Sequence, residues 1–153
     1  METHAGYKQA LIDCGQRYNK ELVLEAHDER EGNEDLTYEN RSGKLMAREY
    51  LKRGAKGSAV LCVNDMMAFG FIRELLDNGL RIPDDVSVVG FDDIPFSAMF
   101  YPALSTVHCP AVESGHLAAQ LLRQKITGDM HAGFDMKLKA RLIKRDSTRN
   151  LSI

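Results

Sequence analysis

Two pairs of polar residues, Asn64-Asp65 and Asp92-Asp93, each follow a run of apolar residues. An asparagine amide offers donors and an acceptor, and an ionised aspartate accepts hydrogen bonds from hydroxyl groups. Asn64 and Asp92 together would therefore suit a polyhydroxylated or nucleoside ligand. Asparagine and aspartate also commonly cap helices and turns, so the residue types alone leave both interpretations open. We expect Asp65 to cap its helix and Asp93 to hydrogen-bond to nearby backbone.

The same aspartates permit a second chemistry. Asp65, Asp92 and Asp93 could hold Mg²⁺, as in phosphoryl-transfer domains of flavodoxin-like fold, although no arrangement of lysine with serine or threonine stands out beside them. The chain has no glycine-rich phosphate loop, no G-x-S-x-G and no Cys-x-x-Cys, and its five histidines do not reach metal-ligand spacing. We therefore predict no catalytic residue, no metal and no cofactor. The alternatives are a Mg²⁺-dependent phosphoryl-transfer or receiver-type domain using Asp92, and a stand-alone sugar-binding protein.

Two apolar runs and an intervening helix would position these residues. Residues 59–63 and 86–89 are almost uninterrupted apolar runs rich in β-branched side chains, which suit strands buried on both faces. Between them, residues 66–76 carry apolar side chains at helical spacing; Asn64 or Asp65 can cap this helix and Gly79 can close it. Ligands of open α/β sheets bind at the carboxyl ends of the strands. The sequence thus predicts a binding site at this edge.

The remainder of the chain continues the alternation of helices and strands. Apolar spacing predicts further elements: helices over about 3–18, 43–50 and 112–126, and strands over 22–24, 104–107 and 136–142. Residues 94–101 are apolar but irregular. The last strand alternates apolar with basic residues, which is typical of an edge strand protected from mispairing, although a basic face could also contact phosphates. The predicted fold is α/β, with parallel strands near 22–25, 59–63 and 86–91 and helices on both faces.

Composition narrows the class of protein. The chain has 153 residues, 44% hydrophobic and 27% charged, which is ordinary for one globular unit. A net charge of −2 gives no bulk attraction to nucleic acid. No apolar run reaches the length of a membrane helix, and the N-terminus lacks the layout of a signal peptide. The three cysteines, Cys14, Cys62 and Cys109, are widely spaced and indicate buried thiols in a reducing compartment, so we expect a cytoplasmic protein without a membrane partner.

Several segments in order resemble the effector-binding domain of the LacI/GalR family of bacterial transcription regulators. The most specific match is the central block, VNDMMAFG at 63–70 and GLRIPDDVSVVGFDD at 79–93. Further matches are PALSTV at 102–107 and LIKRDST at 142–148, with weaker ones at 5–11 and 38–43. Together they touch most of the chain.

The resemblance implies a class I periplasmic-binding-protein-like fold and a sensing function. On that template, residues 1–104 form the C-terminal lobe, and residues 105–153 supply a segment that would complete the N-terminal lobe. The helix-turn-helix headpiece has no counterpart, so we expect a fragment that contacts operator DNA only through a headpiece missing from this chain. The implied partners are a sugar or nucleoside effector and a second copy. With one wall of the crevice, this chain should bind its effector weakly or not at all.

The resemblance also assigns roles to single residues. The family holds effectors with residues that match Asn64 and Asp92, and it often places an aromatic ring at the position of Tyr38. Thr3 occupies a ligand-facing position where the family usually has an arginine.

For assembly, the resemblance places residues matching Phe69 and Phe100 at the contact between C-terminal lobes. Met67 and Met99 belong to the same dense apolar sets, and methionine and aromatic residues are enriched in interfaces. We therefore predict a homodimer face through these four residues. We also expect the apolar stripe of the helix over residues 112–126 to be buried against a partner copy or the chain's own sheet.

Overall fold

A four-stranded sheet organises the chain in the computed structural model, which describes residues 2–25, 38–128 and 136–150, with backbone alone at 2, 3 and 38. The strands are β1 (Ala59–Leu61), β2 (Ser87–Asp92), β3 (Ser105–His108) and β4 (Arg141–Ile143). They lie in the order β1-β2-β3-β4; β1, β2 and β3 are parallel, and β4 is antiparallel to β3. The helices are α1 (Glu2–Asp13), α2 (Tyr38–Lys52), α3 (Asp65–Asp77), α4 (Phe96–Met99) and α5 (Ala111–Thr127). The predicted α/β class, a largely parallel sheet flanked by helices, is confirmed.

The core forms where α3 packs on β2 and α2 packs on α3. Its fully buried large side chains include Phe71, Ile72, Leu75, Val86, Val88 and Leu104. Two glycines bring the helix backbones together: a Cβ on Gly43 would collide with the carbonyl of Met67, and one on Gly70 with that of Asn40. This packing fixes the start of α3, and with it Asn64 and Asp65, against the sheet.

The predicted strand at 22–25 is wrong. Residues Lys20–Leu22 form a 3₁₀ turn, which Asn19 caps by accepting a hydrogen bond from the Glu21 amide at 2.9 Å. Arg53 then donates to the carbonyl oxygens of Glu21 and Val23 at 3.0 and 3.2 Å. These local partners satisfy backbone groups that a strand would have offered to β1.

Because no strand pairs with its outer side, β1 is an edge strand of the described sheet. Leu61 is 51% exposed and Val63 is 56% exposed, so the predicted burial of this run on both faces is also wrong. The same prediction holds better for β2, where Ser87, Val88 and Gly90 are buried.

Most other elements match the prediction and differ only at their ends. The first helix ends at Asp13 rather than near residue 18, because Gly15 takes a φ of 67° and its amide bonds back to Ile12. Residues 94–101, predicted as irregular, contain the helical turn α4. Of the strand predicted at 136–142, only the end is formed, as Arg141–Ile143. Gly128 caps the C-terminal end of α5 in the left-handed conformation, with a φ of 78°.

The last helix packs far less than the sequence predicts. No residue of α5 is buried, and Val112, Leu122 and Ile126 are 83%, 60% and 76% exposed. Burial of this stripe against the chain's own sheet is therefore wrong, and burial against a partner copy stays a prediction. Across the residues described, no helix combines the length and apolar character needed to cross a membrane.

The cysteines also differ from the prediction. Cys14 is exposed and Cys109 is only partly buried, so buried thiols are confirmed at Cys62 alone. Burial, with a smaller contribution from the charge of Asp65, raises the pKa of the Cys62 thiol to about 12. This thiol is therefore unreactive at neutral pH.

Candidate functional site

Asn64 begins the site at the carboxyl end of β1. Its backbone is extended (φ −154°, ψ 170°), and its Oδ1 accepts a hydrogen bond from the amide of Met67 at 2.8 Å. Asn64 therefore caps α3, as one of the two interpretations predicted. Its Nδ2 donates to no residue that the structure describes, so the amino group remains available to a ligand.

Asp65 does not cap α3; its side chain is buried under the sheet edge with 1% exposure. Its carboxylate accepts hydrogen bonds from Ser97 Oγ at 2.6 Å and Thr106 Oγ1 at 2.5 Å. The amide of Ile94 donates a third at 3.0 Å. Asp65 thus joins α3 to α4, to β3 and to the turn that follows β2, and the expectation of a capping role is wrong.

Asp92, the last residue of β2, has an unusual backbone and an unpaired side chain. Its φ is 110°, a region that residues with a side chain rarely adopt. The side chain is exposed at the sheet edge and accepts no hydrogen bond from the described residues. Partial burial, followed by the negative charge of Asp65, raises the pKa of the Asp92 carboxyl. Strain of this kind clusters at ligand-binding sites.

Asp93 has the opposite environment. Arg145 Nη2 lies 2.7 Å from Oδ1, and His108 Nδ1 lies 2.9 Å from Oδ2. Partial burial alone would raise the pKa of Asp93, but the hydrogen bonds from Arg145 and His108 outweigh it and lower the pKa. The prediction that Asp93 bonds to nearby backbone is therefore wrong: it joins β2, β3 and the segment after β4.

These contacts also bear on the Mg²⁺ alternative. Asp65 is engaged by hydroxyl and amide donors, Asp93 by two basic side chains, and Asp92 faces solvent. The three carboxylates do not converge. Within the part of the chain that is described, no group of three or more histidine, cysteine, aspartate and glutamate side chains is placed to hold a metal. The geometry gives the phosphoryl-transfer alternative no support.

Two predicted ligand-binding residues, Thr3 and Tyr38, have side chains outside the described residues. Their backbones lie in the first turns of α1 and α2. Their roles therefore stay predictions. Sequence reasoning missed Ser97, Thr106 and His108; Arg145 was indicated only by its place in the segment 142–148 that carries the resemblance.

The predicted dimer residues fall into two groups. The Phe69 ring is 6% exposed and stacks on Phe100 with 4.6 Å between ring centroids, so Phe69 belongs to the core and leaves little surface for a partner. Met67 is half-buried, whereas Met99 is 70% exposed. Tyr101, close by in the chain, is 88% exposed. Among the four predicted dimer residues, Met99 in α4 is the most exposed.

A cavity of about 630 Å³ lies along the free edge of β1 and reaches Val63, which precedes Asn64, and Met67, whose amide Asn64 caps. Its walls include Leu22, Leu24, Tyr50 and Phe71 but neither Asn64 nor Asp92. It occupies the space beside β1 that the predicted strand at 22–25 would have filled. We therefore place the candidate site at the polar edge, which is the carboxyl end of β1 and β2 with Asn64 and Asp92, and not in this cavity.

The fold and the polar edge define a class of protein: an open α/β lobe with polar side chains at the carboxyl ends of its strands, where such folds bind ligands. The periplasmic binding protein-like domain family matches residues 2–148, and the chain belongs to this family. The resemblance to the LacI/GalR effector-binding domain is confirmed by its relatives.

The HTH-type transcriptional repressor PurR of Vibrio campbellii is 31% identical over 152 residues, which cover 99% of this chain and 42% of that protein. A LacI-type transcription regulator from Bifidobacterium animalis subsp. lactis superposes with a TM-score of 0.83 at 29% identity, covering 94% of this chain and 48% of the other. The transcriptional regulator CelR, solved as a cellobiose complex, gives a TM-score of 0.81 at 31% identity, covering 93% and 40%. The chain thus spans less than half of each of these proteins.

Proposed function

We propose that this chain is the effector-sensing part of a LacI-type transcriptional regulator, and that Asn64 and Asp92 contact the effector. The observation that carries the proposal is Asp92, whose backbone is held at a φ of 110° while its carboxylate has no partner among the described residues. A strained residue with an unpaired carboxylate adds nothing to the stability of the fold, but it can accept hydrogen bonds from a ligand. The repressors and regulators among its relatives support the sensing role.

The proposed ligand is a sugar or a nucleoside-like molecule. Asn64 Nδ2 can donate and Asp92 can accept, which matches a hydroxyl-rich ligand that does both. The cellobiose complex of CelR shows that one structural neighbour binds a sugar. For this chain the particular effector is open, and Thr3 and Tyr38 remain proposed contacts.

The assembly and domain assignments are further parts of the proposal. Residues 1–104 act as the C-terminal lobe, and residues 105–153 help complete an N-terminal lobe. The exposed apolar stripe of α5 supports this, because such a surface is expected to be covered in the working protein. We propose a cytoplasmic homodimer that is not an enzyme. It would contact operator DNA through a headpiece elsewhere in the protein.

Thermal-shift measurements with a panel of sugars and nucleosides test this function, with Mg²⁺ plus acetyl phosphate as the competing arm. High effector concentrations are needed because one wall of a crevice binds weakly. We expect stabilisation by at least one member of the panel. Asp92→Asn should abolish this stabilisation, because it replaces the charged carboxylate acceptor by a neutral amide.

Asp84→Asn is the matched control. Asp84 is an exposed aspartate that precedes β2, so it lies at the amino end of this strand, whereas Asp92 lies at the carboxyl end. It should leave the shift unchanged. Stabilisation by Mg²⁺ with acetyl phosphate alone, or equal loss in both variants, would overturn the proposal.

A further inference from the structure

The carboxylate of Asp65 contacts the backbone on both sides of the Asp92–Asp93 pair. Its Oδ1 occupies the space beside Gly90, two residues before Asp92, where any Cβ would collide with it. Its Oδ2 accepts from the amide of Ile94, the residue after Asp93, at 3.0 Å. Of the three residues between these contacts, Phe91, Asp92 and Asp93, the last two have positive φ, 110° at Asp92 and 58° at Asp93.

Positive φ crowds the Cβ, and aspartate, which tolerates this region better than most residues, normally adopts it as a single residue and not in a consecutive pair. Asp93 is held from outside by Arg145 and His108. Asp92 has no side-chain partner among the described residues, so its conformation must be imposed through the neighbouring backbone. The buried carboxylate of Asp65 is the group that contacts this backbone on both sides.

We propose that Asp65 is the positioning residue of the candidate site: by fixing Gly90 and Ile94 it imposes the positive φ of Asp92 and aims that carboxylate away from the core. The link to effector binding rests on the proposed function. The role goes beyond helix capping, because the carboxylate acts on a turn that lies 25 or more residues along the chain.

The electrostatic surroundings of Asp92 agree with this role. Asp65 approaches from α3 with a negative charge, and Cys109 follows β3 as a neutral thiol whose pKa is raised by burial and then by Asp92. His108 and Arg145 are directed to Asp93, and Arg141, which pairs with His108 in the sheet, is exposed. Removing the charge of Asp65 should therefore change the pKa of Asp92 even if the fold stays intact.

Three variants separate positioning from simple stabilisation, with NMR readouts that need no effector. Three-bond HN–Hα couplings report φ at residues 92 and 93, and a carboxyl ¹³C titration reports the pKa of Asp92. Asp65→Ala removes the acceptor of Ile94 and should shift both residues out of positive φ. Asp65→Asn keeps an oxygen for Ile94, so φ should persist while the pKa of Asp92 falls.

Thr106→Val is the matched control, because it deletes one hydrogen bond of Asp65 and leaves its charge in place. It should preserve both the positive φ values and the raised pKa of Asp92. If Asp65→Ala does not fold, Asp65→Ser takes its place, because the shorter side chain does not reach the amide of Ile94 and should likewise shift both residues out of positive φ.

The proposal is overturned if folded Asp65→Ala retains positive φ at Asp92, or if Asp65→Asn leaves the pKa of Asp92 unchanged. It is also overturned if Thr106→Val reproduces either effect. A negative ligand panel would refute the proposed function without touching these outcomes, so the two failures can be told apart.

Discussion

Replacing Asp92 by glycine should raise the free energy of unfolding, whereas replacing Asp93 by glycine should lower it. The two residues are adjacent and both have positive φ. Glycine adopts positive φ without the Cβ penalty, so each change relieves the same kind of backbone strain. The two side chains differ: Asp92 makes no hydrogen bond to a described residue, whereas Asp93 binds Arg145 and His108.

The magnitudes follow from these contacts. Relief of positive φ is worth about 1–2 kcal/mol per residue, and the extra freedom of glycine in the unfolded chain offsets roughly 0.5–1 kcal/mol. Asp92→Gly should therefore stabilise by about 1 kcal/mol or less. Asp93→Gly also loses hydrogen bonds to charged groups, worth about 1.5–3 kcal/mol each. After subtraction of about 1 kcal/mol of net strain relief, the net destabilisation should be about 2–5 kcal/mol.

Urea denaturation followed by circular dichroism measures both variants against the unchanged chain, with equal m-values as the check for comparable unfolding. We expect the midpoint to rise for Asp92→Gly and to fall for Asp93→Gly. A clear destabilisation by Asp92→Gly would show that the Asp92 side chain supports the fold. That result would refute the argument that it is held free for a ligand.

Three other outcomes are expected. Gly70→Ala should cost about 2–3 kcal/mol in urea denaturation, because its Cβ meets the Asn40 carbonyl, whereas Gly115→Ala, in open space on α5, should cost nothing. The lowered pKa of Asp93 gives stability that is present above the pKa of unfolded aspartate and lost as pH falls through the folded value. Asp93→Asn should therefore flatten the acid limb of the stability–pH curve. Light scattering should show a dimer that Met99→Lys weakens, since Met99 is 70% exposed; an unaltered dimer would move the interface away from α4.

The central strand–helix–strand unit could be predicted from sequence because its signals are local. Apolar β-branched runs and helical spacing predicted β1, α3 and β2, and the capping asparagine, Asn64, follows β1 at the start of α3. The strand at 22–25 failed because pairing requires a neighbour, and Asn19 and Arg53 offered its backbone other partners.

The side-chain network of the site could not be predicted, because its members are distant in sequence. Asp65 meets Thr106 across 41 residues, and Asp93 meets Arg145 across 52. Asp65 also looked like an ordinary helix cap, since aspartate is favoured there. Only the packing of α3 against β2 turns its carboxylate inward.

Chemical-shift mapping by ¹H–¹⁵N NMR tests the central claim most directly, because it detects weak binding and locates it. We predict that a sugar or nucleoside perturbs Asn64 and the residues around Asp92, and that Asp92→Gly removes these changes while the chain stays folded. Perturbations confined to the cavity lined by Tyr50 and Phe71 would contradict the account, as would a response to Mg²⁺ with acetyl phosphate alone.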